Sequence, residues 1–132
     1  MVSSSQPRTG ATAFEDRPVR LQALAVIAGP VVLGTAAGIA VAGSATVYWV
    51  LQAVALLGGL LGGMEHRSVS TAADRGLLGG LVFGSSLLLA HAIDGRAAAV
   101  SLGSMPGFLV VITGVFGAAL ASAGALARRR RG

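Results

Sequence analysis

The polar residues that follow the second apolar segment are the first candidates for chemistry in this sequence. Glu65, His66 and Arg67 lie side by side, and Asp74 and Arg75 follow shortly afterwards. A carboxylate beside an imidazole is a combination that can handle protons or hold a metal ion. The HxxxH and HxxE spacings of metal sites are missing here. We therefore interpret the cluster as an interfacial turn, with arginines on lipid headgroups, and predict no metal, cofactor-binding or catalytic site.

Gln52 and His91 form a second candidate, because both lie just inside the ends of apolar segments. An ionisable side chain within a membrane segment is a functional suspect by default. Asp94 follows His91 by three residues and shares its helix face. If the second and third segments pair, Gln52 and His91 face one another. The hypothesis is a shallow polar site near one membrane surface.

Missing residue types exclude most catalytic and transport chemistry. Asp, Glu, Lys and Arg do not occur in the middle of any apolar segment, whereas ion-coupled transporters usually carry such a group near the bilayer midplane. The sequence has no P-loop, no HExxH motif and no Ser-His-Asp arrangement. It also has no cysteine, which excludes thiolate chemistry. We therefore do not expect an enzyme.

The composition indicates that a lipid bilayer positions these candidates. Hydrophobic residues make up 54% of the 132 residues and charged residues only 11%, about half the usual charged share. Segments of about 20 apolar residues are long enough to cross the bilayer core. We predict an all-α, antiparallel four-span bundle within residues 18–127. The expected spans are 19–42, 45–63, 76–93 and 106–127, between a flexible tail (1–17) and a basic tail (128–132).

Local signals refine the boundaries of these helices. Pro30 lies inside the first span and predicts a kink. Thr71 and Asp74 match a capping box at the start of the third helix, and Gly95 is a plausible residue to end it. A cleavable signal peptide is the alternative interpretation of the first span, but the apolar run is longer than usual and contains a proline.

The arginines predict the orientation of the chain in the membrane. All ten basic residues are arginine. In the four-span arrangement nine of them lie on one side, and only Arg96 lies on the other. This bias predicts that both termini are in the cytoplasm and that the protein resides in the cell membrane. The final run, Arg128, Arg129, Arg130 and Arg131, is expected to bind anionic headgroups and not nucleic acid.

Glycines spaced four residues apart are the most informative pattern in the spans. Small residues at this spacing let helix backbones approach closely where lipid supplies no hydrophobic driving force. The expected helix-packing residues are Gly34, Gly38, Gly58, Gly59, Gly62, Gly63, Gly76, Gly80 and Gly84. The densest runs end the second helix and begin the third, so we expect these two helices to pack together. A glycine face left over from this packing could instead drive association with a second copy or another membrane protein.

Two glycine-rich stretches carry a resemblance to a known group of proteins. Residues 58–63 (GGLLGG), a short polar turn and residues 74–80 (DRGLLGG) resemble small four-helix membrane proteins found in haloarchaea and some bacteria. The resemblance covers about a quarter of the chain, and it implies a four-helix fold but no activity. Our leading functional hypothesis is a structural or accessory membrane protein that acts through helix packing. The alternative is a small oligomeric channel or transporter subunit.

Overall fold

The computed structural model describes residues 14–132 as an all-helical chain. A short 3-10 helix, Phe14–Asp16, precedes four α-helices: α1 (Val19–Gly43), α2 (Ala45–Gly63), α3 (Val69–Asp94) and α4 (Phe108–Arg131). Each of the four is long and apolar enough to cross a membrane. The predicted all-α class and the four apolar spans are confirmed. Residues 1–13, most of the tail expected to be flexible, lie outside the described part of the chain.

Serines begin two of the helices. Ser44 alone separates α1 from α2, and its hydroxyl accepts a hydrogen bond from the Val47 N–H. Ser68 begins α3 and accepts from the Thr71 N–H at 3.1 Å. The prediction that Thr71 is the N-cap is therefore wrong. The Thr71 hydroxyl instead donates back to the Ser68 carbonyl at 3.2 Å, so the capping pair begins the helix three residues earlier than the sequence pattern indicated.

α3 ends at the predicted residue, whereas α4 extends further than predicted. Gly95 ends α3 in the left-handed conformation, with φ 68°, as predicted for a glycine after the last turn. The run of four arginines forms the last turn of α4 and not a separate tail, because arginine is a good helix former and cations are favoured at a helix C-terminus. Pro30 lies within α1, which continues on both sides of it.

The third helix occupies the centre of the packing. It makes the most extensive contacts in the described chain with α4 and the next most extensive with α1, whereas α2 packs mainly on α4 and α1. α2 and α3 make the least contact of these pairs. One apolar cluster joins α1, α2 and α3 near the Ser44 turn, and a smaller one joins α3 and α4 near the α2–α3 turn. The first contains Ala37, Ala40, Val41, Tyr48, Phe83 and Leu87, and the second contains Ala72, Ala121 and Ala125.

Large apolar side chains cover the outside of the bundle. Leu, Val, Ile and Phe residues of all four helices are exposed, including Val32, Leu57, Leu78 and Phe116. Exposure of so large an apolar surface to water is unfavourable, whereas its contact with lipid tails is not. The surface is therefore compatible with a multi-pass membrane protein.

Candidate functional site

Most of the glycines singled out from the sequence lie at close contacts between helices. A Cβ added at Gly34 or Gly38 of α1 would collide with the backbone of α3, at the carbonyl oxygens of Phe83 and Leu87. Gly63 of α2 lies equally close to the Ala121 carbonyl of α4. Backbone atoms cannot move aside cheaply, so these positions accept no larger residue without a shift of the helices.

The partner expected for the glycines of α3 was wrong. Gly76 lies against the Gly117 carbonyl, Gly80 against that of Thr113, and Gly84 against the Thr113 hydroxyl. All three contacts are therefore made with α4 and not with α2. The spacing of small residues predicted which face of α3 is closely packed, but it carries no information about the helix that covers this face.

Two of the predicted helix-packing glycines of α2 have no close contact with another helix, and three glycines of α4 that were not predicted do have one. An added Cβ at Gly58 would meet nothing within 4 Å, and one at Gly59 would make an ordinary contact with Leu120 at 3.7 Å. Gly62 lies against the guanidinium of Arg75. On α4, Gly114, Gly117 and Gly124 all lie at close helix contacts. These three glycines do not follow the four-residue spacing: they are three and seven residues apart, and Ala121 lies between the last two.

A cavity of about 250 Å³ lies among the four helices. Glycines contribute much of its wall: Gly29, Gly58, Gly59, Gly76, Gly79, Gly80 and Gly117. Pro30, Leu33, Phe83 and Phe116 add apolar surface, and Gln52, Arg75 and Thr113 are its polar side chains. The cavity exceeds the roughly 150 Å³ apolar cavity that takes up benzene in a well-studied case. It is large enough for a small apolar group.

The segment before α1 docks onto the α2–α3 turn. The Phe14 N–H donates to the Glu65 carbonyl at 3.2 Å, and the Phe14 ring is buried against the imidazole of His66 with centroids 4.8 Å apart. Arg17 pairs with Glu65 at 3.4 Å, and Arg67 pairs with Asp16 at 2.7 Å. Residues 14–17, the last four of the predicted tail, thus make specific contacts with partners about fifty residues away in the sequence.

Glu15 links this docked segment to the turn. Its Oε1 lies 3.1 Å from His66 Nδ1 and accepts from the Arg67 N–H at 3.1 Å. Burial raises the pKa of the Glu15 carboxyl, but hydrogen bonds from its own backbone, from Arg67 and from His66 outweigh that effect, so this pKa lies below its ordinary 4.5. Glu65, which precedes His66 in the sequence and was the alternative partner for proton handling, pairs with Arg17, and Glu15 lies beside the imidazole.

Arg75 lies between this docked segment and the cavity. Its guanidinium stands over the Phe14 ring, 4.7 Å from the centroid, and its side chain lines one end of the cavity. Its Nε is buried and has no hydrogen-bond partner. The hydrogen bonds and ion pairs found within residues 14–132 include none made by Arg75. The local sequence pattern predicts only a headgroup contact for Arg75, and nothing in it indicates that the side chain is half-buried.

Gln52 and His91 are not hydrogen-bonded to each other in the described chain. Gln52 donates to the Tyr48 hydroxyl one turn earlier, at 2.8 Å. His91 lies near the packing of α1 on α3, where its backbone N–H approaches Gly38, and its Nδ1 is buried without a partner. No hydrogen bond within residues 14–132 joins Gln52 to His91, and the shared polar site stays a prediction.

The terminal arginines are exposed, and Arg128 donates to the Met64 carbonyl at 3.3 Å. This bond ties the last turn of α4 to the end of α2. Among residues 14–132, His, Asp and Glu side chains form no group of three that could hold a metal ion.

Comparison with known proteins finds no family model, curated protein or solved structure that matches this chain. The resemblance to small four-helix membrane proteins stays a prediction.

Proposed function

We propose that this chain is an integral protein of the cell membrane whose four helices span the bilayer as an antiparallel bundle. The observation that carries the proposal is the apolar surface around all four helices. Among residues 14–132, the ion pairs lie at helix ends, in the turns and in the segment before α1. Ion pairs at the ends of spanning helices lie at headgroup level, where the free-energy cost of a charge is far lower than in the hydrocarbon core.

Both termini lie in the cytoplasm in this proposal. The bonds from Phe14 to Glu65 and from Arg128 to Met64 hold the start of α1, the α2–α3 turn and the end of α4 together. Arg17, Arg67 and the four terminal arginines therefore share one end of the bundle. At the other end, Arg96 pairs with Asp94 at 2.8 Å. The end rich in arginine faces the cytoplasm by the positive-inside rule.

The proposed activity is that of a non-enzymatic accessory protein that acts through helix packing with a membrane partner or a second copy. The internal glycine contacts supply a closely packed scaffold, and the exposed apolar faces are available to neighbouring helices. A channel or transporter subunit is the second candidate. The glycine-lined cavity among the four helices favours that alternative.

Cysteine labelling tests the proposed orientation, because the chain contains no cysteine of its own. Ser70 and Ser101 are exposed serines at the two ends, so Ser70→Cys and Ser101→Cys form a matched pair. A membrane-impermeant maleimide should label position 101 in intact cells and position 70 only after permeabilisation. Labelling of position 70 in intact cells would overturn the orientation.

Solute flux through vesicles that contain the purified protein would favour the second candidate over the accessory role.

A further inference from the structure

We propose that Arg75 and the cavity together form a binding site for one anionic phospholipid. In this site the phosphate pairs with the guanidinium and an acyl chain enters the cavity. The inference rests on the proposed insertion in the membrane, but it adds a specific site to the general attraction between surface arginines and headgroups.

The first argument is the electrostatic state of Arg75. A guanidinium carries five donors. The Arg75 side chain is half-buried, and its buried Nε has no acceptor, which is unfavourable for a charged group. Three carboxylates of the adjoining turn and docked segment have other partners: Glu65 pairs with Arg17, Glu15 with His66 and Asp16 with Arg67. Glu15 Oε2 is itself buried without a hydrogen-bond partner. The ring of Phe14 covers one face of the guanidinium but accepts no strong hydrogen bond. An external anion would complete this site, and a phosphate matches the planar donors of arginine well.

The second argument is the shape of the cavity. Its α3 wall runs from Arg75 to Phe83, about 12 Å at the rise of an α-helix. That length is close to the roughly 15 Å hydrocarbon depth of one leaflet. The charged group lies at one end, and the wall beyond it is mainly glycine and aliphatic carbon. An acyl chain below a phosphate has the same order of polar and apolar parts.

The third argument is access from the lipid. Gly29 of α1 and Gly58 of α2 both line the cavity and are both exposed at the surface of the bundle. A Cβ added at either position would meet nothing within 4 Å. The cavity therefore opens between side-chain-free stretches of α1 and α2. In a bilayer the surrounding medium at this opening consists of acyl chains, which can enter the cavity from the side.

The test is native mass spectrometry of the full-length protein, titrated with phosphatidylglycerol or with phosphatidylcholine. The wild-type protein should bind one phosphatidylglycerol at least about tenfold more tightly than phosphatidylcholine, as expected for hydrogen bonds to a charged group. Arg75→Gln should lose this preference. Arg20→Gln removes the same charge from an exposed position at the start of α1, at the same end of the bundle, so it is the matched control and should keep the preference.

A second variant tests the cavity without altering the charge. Gly58→Leu places a side chain in the opening, where space is available, and should weaken phosphatidylglycerol binding by about tenfold. Gly43→Leu also has free space but does not line the cavity, so it is the control. Unchanged binding in both Arg75→Gln and Gly58→Leu would overturn the site. Labelling at positions 70 and 101 reports on the orientation independently, so failure of the lipid site is distinguishable from failure of the proposed insertion.

Discussion

At the scale of single residues, the packing of Phe14 organises the polar end of the bundle. Its ring contacts both the guanidinium of Arg75 and the imidazole of His66, and its backbone N–H donates to the Glu65 carbonyl. Glu15 then reaches His66 and the Arg67 N–H with one carboxylate oxygen. Phe14 and Glu15 thus contact His66 and Arg67 directly, although the two pairs of residues are about fifty positions apart in the sequence.

The lowered pKa of Glu15 predicts an acid-sensitive contribution to stability. A carboxyl whose pKa is lower in the folded state stabilises the protein above its ordinary pKa of 4.5 and loses that contribution as the pH falls through the lower value. The thermal midpoint in detergent should therefore fall more steeply between about pH 6 and about pH 3 in the wild type than in Glu15→Gln. Asp94→Asn, which removes a carboxylate at the other end, should retain the wild-type steepness. Identical pH profiles for wild type and Glu15→Gln would contradict the assignment.

At the scale of helices, α3 is the element on which the fold depends most. Its glycine face accommodates α4, and its Phe83 and Leu87 backbone accommodates the glycines of α1. α2 packs mainly against α4 and α1. The central position of α3 explains why Gly76, Gly80 and Gly84 leave no room for substitution, whereas the exposed glycines of α1 and α2 border open space.

Gly80 and Gly58 make this difference measurable. A Cβ at Gly80 would meet the Thr113 carbonyl oxygen, the Thr113 carbonyl carbon at 2.7 Å and the Gly114 Cα at 2.8 Å. Gly80→Ala should therefore lower the free energy of unfolding in detergent by about 1–3 kcal/mol. Gly58→Ala meets nothing within 4 Å and gains helix propensity, so it should not destabilise the protein. Equal stabilities of the two variants would mean that the contact of α3 with α4 is looser than described.

At the scale of the whole molecule, charge is distributed unevenly between the two ends. The last turn of α4 adds four exposed arginines to the end that already carries Arg17 and Arg67. Each arginine near an anionic leaflet is attracted by about 1 kcal/mol. The dipole of α4 favours cations at the same place. Both effects require positive charge and not a particular side-chain geometry.

Exchange of the four terminal arginines tests this electrostatic role. Replacement of all four by Lys should leave the inserted amount and the labelling pattern unchanged, because the charge is retained. Replacement of all four by Gln should lower the amount of inserted protein in a membrane fraction. Arg96→Gln removes a charge from the opposite end and serves as the control. If the Lys variant behaved like the Gln variant, guanidinium geometry would be required, and a specific phosphate-bearing partner would have to be considered.

The sequence by itself determined the four helices and their approximate bounds. Helix length, apolar composition and the left-handed glycine at Gly95 are local properties, since they follow from bilayer thickness and from backbone geometry at one residue. Even the Thr71 prediction missed the start of α3 by only three residues, because Ser68 supplies the same kind of cap.

Only the tertiary structure decided which helices are neighbours and what lies between them. Glycine faces occur on all four helices, so their spacing cannot specify whether α3 packs on α2 or on α4. The docking of Phe14, the burial of Arg75 and the cavity depend on contacts between residues far apart in the chain. The relative orientation of packed helices creates these features, and it is set by the sum of many small contacts that no single segment contains.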